Sequence, residues 1–419
     1  MADFRRTLGN PAYLYGSTTF LLFFGSWGIW WSFFQIWLTS ESGGLQLTGS
    51  QVGTVYAING VGTLVCMIIY GAGQDRLGLR RHLVRTAAAL MCLVGPFAQW
   101  IYRPLLESHF YLGAVAGAIF LSAAFLGSCG LFEAFVERLS RYTNFEFGQA
   151  RMWGSFGYAI VALIAGFLFT VNPLLNFWIG SALGLLLLLI QLFWVPRTEE
   201  QETAASADAI PSAKEMLSLL GDKKVWALIG FVFLSWTFYT VFDQQMFPDF
   251  YTTLFQTPAQ GQHAYGVLNS IQVFLEAAMM GIIPFLVRKV GGRNTLLLGV
   301  LVMFLRISAC GFFTNPVLIS IAKMCHSLEV PLFVLGVFKY LALHFNHALS
   351  ATLYLVAFNL SAQIGNVILS SPLGALRDSI GYQPTFHVVS AIVAVAAVYA
   401  FFVLRRDKQA INPEEIPTR

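Results

Sequence analysis

Gly71-Ala-Gly-Gln-Asp75-Arg76-Leu-Gly78-Leu-Arg80-Arg81 separates two apolar runs early in the chain. Arg288-Lys289-Val-Gly291-Gly-Arg293-Asn294 separates two others in the second half. The stretches align on Gly78/Gly291 and Arg80/Arg293, and the second lacks the acidic residue. Each follows the second apolar run of its half, so the chain reads as a duplicated unit.

Working outward, composition sets the class. Hydrophobic residues make up 57% and charged residues 11%, with a mean hydropathy of +0.66. Soluble domains carry about 25% charge, so a water-soluble globule is excluded. A spanning helix needs about 20 apolar residues. Twelve segments qualify, centred near residues 25, 62, 91, 122, 158, 185, 236, 275, 304, 328, 361 and 394. The ten-residue alternation of a membrane β-barrel is absent. Met1-Ala-Asp-Phe-Arg-Arg looks like a signal-peptide start, but the run after it is too long and lacks a small-x-small cleavage site. It is expected to remain as the first span.

The one long polar stretch, Pro196 to Lys224, contains Thr-Glu-Glu-Gln-Glu-Thr-Ala-Ala-Ser-Ala-Asp, a composition of mobile linkers. The expected organisation is six helices over 1–195, a linker over 196–223, and six helices over 224–419. Basic residues set the orientation. Arg5, Arg6, Arg76, Arg80, Arg81, Arg138, Arg141, Arg288, Lys289, Arg293, Arg405 and Arg406 fall on one side, with the linker lysines. The other side receives Arg103 and Arg377. Both termini are therefore expected in the cytoplasm. This bias accounts for the net charge of +4 without a nucleic-acid partner. The five cysteines sit in apolar runs with no CxxC or Cys/His spacing, so no metal or cofactor is expected.

Charge inside a membrane is costly, roughly 2.5–3.5 kcal/mol for each ionisable group at the helix centre. The candidates are few: Glu133 and Arg151 in the first half, then Asp243, Glu276, Arg306, Lys323, His326 and Glu329. Four carboxylates against three permanent cations is the near-balance expected if most are paired. Glu133 and Arg151 lie on neighbouring spans. They read either as a structural pair or as a clamp, since the guanidinium fork suits vicinal hydroxyls. Asp243 is expected to pair with Lys323, because an unpaired charge there is expensive. Lys323-Met-Cys-His326-Ser-Leu-Glu329 spaces a cation, an imidazole and a carboxylate three residues apart. A carboxyl in an apolar pocket can hold a proton near neutrality, and an arginine brought to it, such as Arg306, drives the proton off. Gln272 and Glu276 share a face at i, i+4 and are expected to line a cavity. Trp27, Trp30, Trp31 and Tyr158 read as an aromatic platform on which a ligand ring can stack; for Trp27 and Trp30 a lipid-facing or interfacial role stands equally.

The first loop matches Gly-x-x-x-Asp-Arg-x-Gly-x-Arg-Arg, which resembles the signature of the major facilitator superfamily. That family has two six-helix halves rocking about a central site. The resemblance implies that Gly71, Asp75, Arg76, Gly78, Arg80 and Arg81 form a gating loop. Four further runs resemble the oligosaccharide:proton symporters, the lactose and sucrose permease group. They are Phe132-Glu133-Ala-Phe-Val-Glu137, Asn144-Phe-Glu-Phe-Gly-Gln-Ala-Arg151-Met, Val241-Phe-Asp243-Gln-Gln and His326-Ser-Leu-Glu329-Val-Pro331. They fall on spans 4, 5, 7 and 10.

By that resemblance Glu133 and Arg151 hold the sugar, His326 couples sugar to proton, Glu329 carries the proton, Arg306 helps it leave, and Asp243 pairs with Lys323. Lactose permease has tryptophan at the place of Tyr158. Thr240 and Ala362 stand where it has a second charge pair, and Val273 where it has a span-8 glutamate, with Glu276 about one turn away. These departures resemble the sucrose permease branch, as do Trp30-Trp31, Gly154-Ser-Phe-Gly-Tyr158 and Phe247-Pro-Asp-Phe-Tyr251.

The expectation is an all-α membrane protein of twelve helices, a monomer in the lipid bilayer of the bacterial inner membrane, importing a disaccharide with a proton. Sucrose is the expected sugar; a galactoside such as lactose, melibiose or raffinose is the alternative. A membrane-embedded enzyme using Glu276 and Glu329, or a passive channel, are the readings from other classes. No metal site, nucleophile elbow or phosphate loop accompanies the enzyme reading.

Overall fold

The computed structural model describes residues 10–41, 43–77, 81–194, 221–345 and 353–409. Among them ten helices are long and apolar enough to cross a membrane. We label these α1 Pro11–Thr39, α2 Gly49–Leu77 (of which Gly49–Tyr70 is the apolar part), α4 Phe110–Thr143, α5 Phe147–Val171, α6 Leu174–Phe193, α7 Lys223–Gln245, α8 Pro258–Val290, α9 Gly292–Phe312, α10 Pro316–His344 and α12 Tyr382–Val403. The pair His82–Met91 and Val94–Ser108, bent by 49°, is α3. At the remaining expected position a π-helical turn, Tyr354–Leu360, runs into Ser361–Ile380. This is α11, and it carries Asn359, Ser361, Gln363, Asn366, Ser370 and Ser371 along its length.

Local chemistry sets the helix starts. Asn10, Thr257 and Asn315 each cap a helix whose first residue is proline, and each side chain accepts a backbone N–H from the first turn. Proline loses nothing at a position whose N–H has no helical partner. The tight α8–α9 and α11–α12 turns use Gly291 at φ +86 and Gly381 at φ +83.

The chain divides into two compact units. The first contains Met1–Gln46, Ile58–Ile210 and Gln262–Val273; the second contains Leu47–Ala57, Pro211–Gly261 and Phe274–Arg419. The opening turns of α2 thus group with α7 and α9–α12, and those of α8 with α1 and α3–α6. Most of the expected linker lies outside the described residues.

In the first unit α1 packs between α5 and α6. A Cβ at Gly157 would stand 2.4 Å from the Leu21 carbonyl oxygen, so glycine lets α5 touch the α1 backbone. Ser26 Oγ donates to the Gly180 carbonyl at 2.7 Å. In the second unit α9 packs on α10 and α12. The N-terminus of α2 is capped there by α11: Asp378 accepts the Gly49 N–H at 2.7 Å and the Ser50 N–H at 2.9 Å.

Each half repeats one contact. Arg81, at the start of α3, donates to the carbonyl of Trp194 at the end of α6 (3.1 Å). Arg293, at the start of α9, donates to the Phe401 carbonyl near the end of α12. The basic loop in both copies therefore satisfies carbonyls that a helix end leaves unpaired. Of the other expected gating residues, Gly71, Asp75 and Arg76 end α2, with side chains outside the described set, and Gly78 and Arg80 lie outside the described residues.

Candidate functional site

In the first unit the ion pairs Arg103–Glu107 and Arg141–Glu137 lie within single helices, and a third, Glu133–Arg151, joins two helices. Arg151 Nε donates to Glu133 Oε1 at 2.8 Å, joining α5 to α4. Their side chains are 31% and 38% exposed. The guanidinium lies 4.0 Å from the ring centroid of Phe24, on which Trp27 is also stacked at 5.9 Å. Arginine on an aromatic face is held without consuming its donors. Tyr158 packs against Gly28; a Cβ there would sit 2.6 Å from the ring. Gln272, also in this unit, is buried.

Trp30 is not available as a platform. It is 1% exposed, stacked on Phe177 at 5.6 Å and edge-on to Phe125 at 5.1 Å. It belongs to the packing of the first unit.

The second unit holds a connected web. Asp243 Oδ1 accepts from Lys323 Nζ at 2.7 Å and from Arg306 Nη2 at 2.8 Å. Arg306 Nε also donates to Glu329 Oε1 at 3.0 Å. His326 Nδ1 stands 3.5 Å from both Asp243 Oδ1 and Glu329 Oε2, and its Nε2 is 3.7 Å from Glu276 Oε2. The side chains of Arg306 and Glu329 are fully buried. Glu329 Oε2 has no hydrogen bond of ordinary geometry among the described residues.

Sequence spacing alone spreads Lys323, His326 and Glu329 over about a third of a helix. The structure draws them together because α10 is interrupted. One segment ends at Met324 and the next begins at His326. Pro331, inside the second, removes an N–H that would bond the Ser327 carbonyl, and Ser327 Oγ turns back to the Met324 carbonyl at 2.7 Å. Helix α7 has its own irregularity, a π-helical turn over Phe233–Thr237, just before Tyr239 and Asp243. Such turns re-aim the side chains that follow.

The chain as a whole matches a family of known proteins. The model of the LacY proton/sugar symporter family matches residues 5–416. The chain belongs to the LacY proton/sugar symporter family. Among relatives, the sucrose permease of Escherichia coli is 41% identical, over 97% of this chain and 96% of its own. The lactose permease of Klebsiella oxytoca is 34% identical over 90% of each chain. The raffinose permease of Escherichia coli is 33% identical over 94% of this chain and 93% of its own. The crystal structure of the nucleoside transporter NupG superposes with a TM-score of 0.79 at 16% identity, covering 94% of this chain and 99% of that one. The symporter thus has the major facilitator fold of twelve helices.

One participant of the symporter's web was not singled out by sequence. The Tyr239 hydroxyl is hydrogen-bonded to His326 Nδ1. Its ring stacks on the imidazole at 5.7 Å and lies 5.2 Å from the Arg306 guanidinium. Its spacing of four from Asp243 is the signal that marks it, since i, i+4 residues share a face.

Proposed function

We propose that this symporter imports sucrose together with a proton across the bacterial cytoplasmic membrane, working as a monomer in the bilayer with both termini in the cytoplasm. The observation that carries the coupling is Glu329: a fully buried carboxyl with Oε1 on Arg306 and Oε2 3.5 Å from His326 Nδ1. A buried carboxyl between a guanidinium and an imidazole suits a group that takes and gives up a proton. The sugar assignment rests on the 41% identity to a sucrose permease.

In this reading Glu133 and Arg151 clamp hydroxyls of the sugar, with Tyr158 beside it. Gln272 and Glu276 offer further polar groups to the sugar. His326 touches both Glu276 and Glu329, so a change at the sugar reaches the proton carrier through one imidazole. Protonated Glu329 favours sugar binding from outside. After the carrier has turned inward the sugar leaves, and Arg306 drives the proton off. Asp243 keeps Lys323 and Arg306 compensated throughout. The Gly71–Arg81 loop, with Asp75, Arg76, Gly78 and Arg80, serves the change of state. Each 100 mV is worth about 2.3 kcal/mol per charge, so one proton per sugar sustains roughly fifty-fold accumulation.

The decisive measurement is sugar-dependent proton uptake by vesicles with sucrose, lactose, melibiose and raffinose. Proton entry with sucrose is expected. Strong response to the galactosides with none to sucrose would move the assignment to the second reading, which the lactose and raffinose permease relatives favour. Sugar recovered chemically intact inside the vesicles separates transport from hydrolysis. Glu329→Gln is expected to lose uphill accumulation and keep sugar exchange; uphill accumulation in that variant would overturn the carrier role.

A further inference from the structure

Charge counting in the second unit leaves a problem that hydrogen bonds do not solve. With Glu329 ionised, two carboxylates face two permanent cations. When Glu329 takes a proton, Asp243 alone faces Arg306 and Lys323, and the web holds surplus positive charge. Lys323 is 2% exposed and Arg306 1%, so water does not answer it. Arg306 Nη1 has no hydrogen-bond partner among the described residues.

What surrounds both cations is aromatic. The Arg306 guanidinium lies 5.0 Å from the Phe242 centroid and 5.8 Å from that of Phe247. Lys323 Nζ lies 4.9 Å from the same Phe247 ring. Phe247 thus covers both cations at once and is itself fully buried. Its place is built by the backbone. Met246 leaves helical geometry at φ −129 and ψ −45, and a new short helix, Phe247–Thr253, follows with Pro248 in its first turn. The ring is braced by Phe242 (6.0 Å, 63°) and stacked on Tyr251 (5.9 Å, 21°). Tyr251 in turn shares a 2.8 Å hydroxyl hydrogen bond with Ser320, one turn before Lys323 on α10.

An aromatic face presents negative quadrupole to a cation, and the attraction grows when both are dry. We propose that Phe247 is a positioning residue for proton coupling: its ring holds Lys323 and Arg306 and stabilises the surplus positive charge that appears when Glu329 is neutral. This rests on the reading of Glu329 as proton carrier. The titratable and charged groups facing these cations are Asp243 and Tyr239 from α7, Arg306 itself with Cys310 from α9, and His326 and Glu329 from α10. Glu276 of α8 reaches them through His326.

The sign follows directly. Removing the π face makes the loaded state costlier, so a higher proton concentration is needed to reach it. Phe247→Leu keeps apolar bulk and removes the ring. Its pH profile of uphill sucrose uptake is expected to move toward acid, with about ten-fold more protons needed for half-maximal rate. Sucrose exchange at acidic pH stays within about two-fold of wild type, since at saturating proton concentration Glu329 is neutral in both proteins. Phe247→Trp keeps the wild-type profile. Ring fluorination at 247, which drains the π face without changing shape, gives a graded acid shift and decides the matter if the leucine variant fails to fold. A flat fluorination series, or a leucine variant with an unshifted profile, overturns the proposal. Glu329→Gln is run beside them: if it accumulates sugar uphill, the carrier reading fails, whereas a flat Phe247 series beside a dead Glu329→Gln removes the role of Phe247 alone.

Discussion

The two units of this symporter treat charge in opposite ways. Glu133 and Arg151 make a single pair, about a third exposed, with an aromatic ring under the guanidinium. Asp243, Arg306, Lys323, His326 and Glu329 make a connected web in which Arg306 and Glu329 are fully buried. An exposed pair is worth about 0–1 kcal/mol, so a ligand can take its place at little cost. A buried web cannot lose a member without stranding another charge. The difference teaches a division of labour: the loose pair suits exchange of partners with a sugar, and the tight web suits bookkeeping of one proton.

The largest effect should come from breaking the web. Asp243→Asn leaves Lys323 buried without a carboxylate, and a loss of about 3–5 kcal/mol is expected, read as a lowered Tm of the solubilised protein and reduced membrane abundance. Adding Lys323→Met should return most of it, because removing both partners leaves no stranded charge. If the single change is as stable as wild type, the web is not the tight object described.

The opposite behaviour is expected of the pair. Arg151→Lys keeps the charge but loses the planar fork. Sucrose affinity should fall about ten- to hundred-fold, the worth of a charge-assisted hydrogen bond, measured by equilibrium binding. Stability should change by less than about 1 kcal/mol. A large stability loss would make the pair structural.

Much of this contrast was legible in the sequence. The near-balanced charge count and the cost of an unpaired buried charge point Asp243 to Lys323 and single out Arg306 and Glu329. The sharing of Asp243 between Lys323 and Arg306 was not legible, because it depends on the break at Cys325 that gathers α10's side chains. The burial of Trp30 was not legible either, for a different reason. A helix apolar all round carries no period that tells its buried face from the others, so tryptophans at 27 and 30 look alike. Asp378 at the start of α2 was invisible too, since its partners Gly49 and Ser50 lie more than three hundred residues away.

The smallest expected effect sharpens the sugar side. Tyr158→Phe removes a hydroxyl and keeps the ring, and sucrose affinity should fall by about three- to ten-fold, the worth of one neutral hydrogen bond. Tyr158→Trp should retain more affinity than Tyr158→Ala in the same titration, because an aromatic face stacks on a sugar ring either way. Equal affinity in all three variants would take Tyr158 out of the site.

The Asp378 cap sets an order on how the molecule is made. The first amides of α2 are among the earliest membrane-spanning backbone to leave the ribosome, and the carboxylate that satisfies them is among the last. Synthesis at about 5–20 residues per second separates the two by tens of seconds. Through that interval α2 sits in the bilayer with an unfinished end, and α11 completes it only on arrival. A helix that begins near residue 49 is thus capped by a residue more than three hundred positions later, and its N-terminal amides gain that partner only after α11 is made.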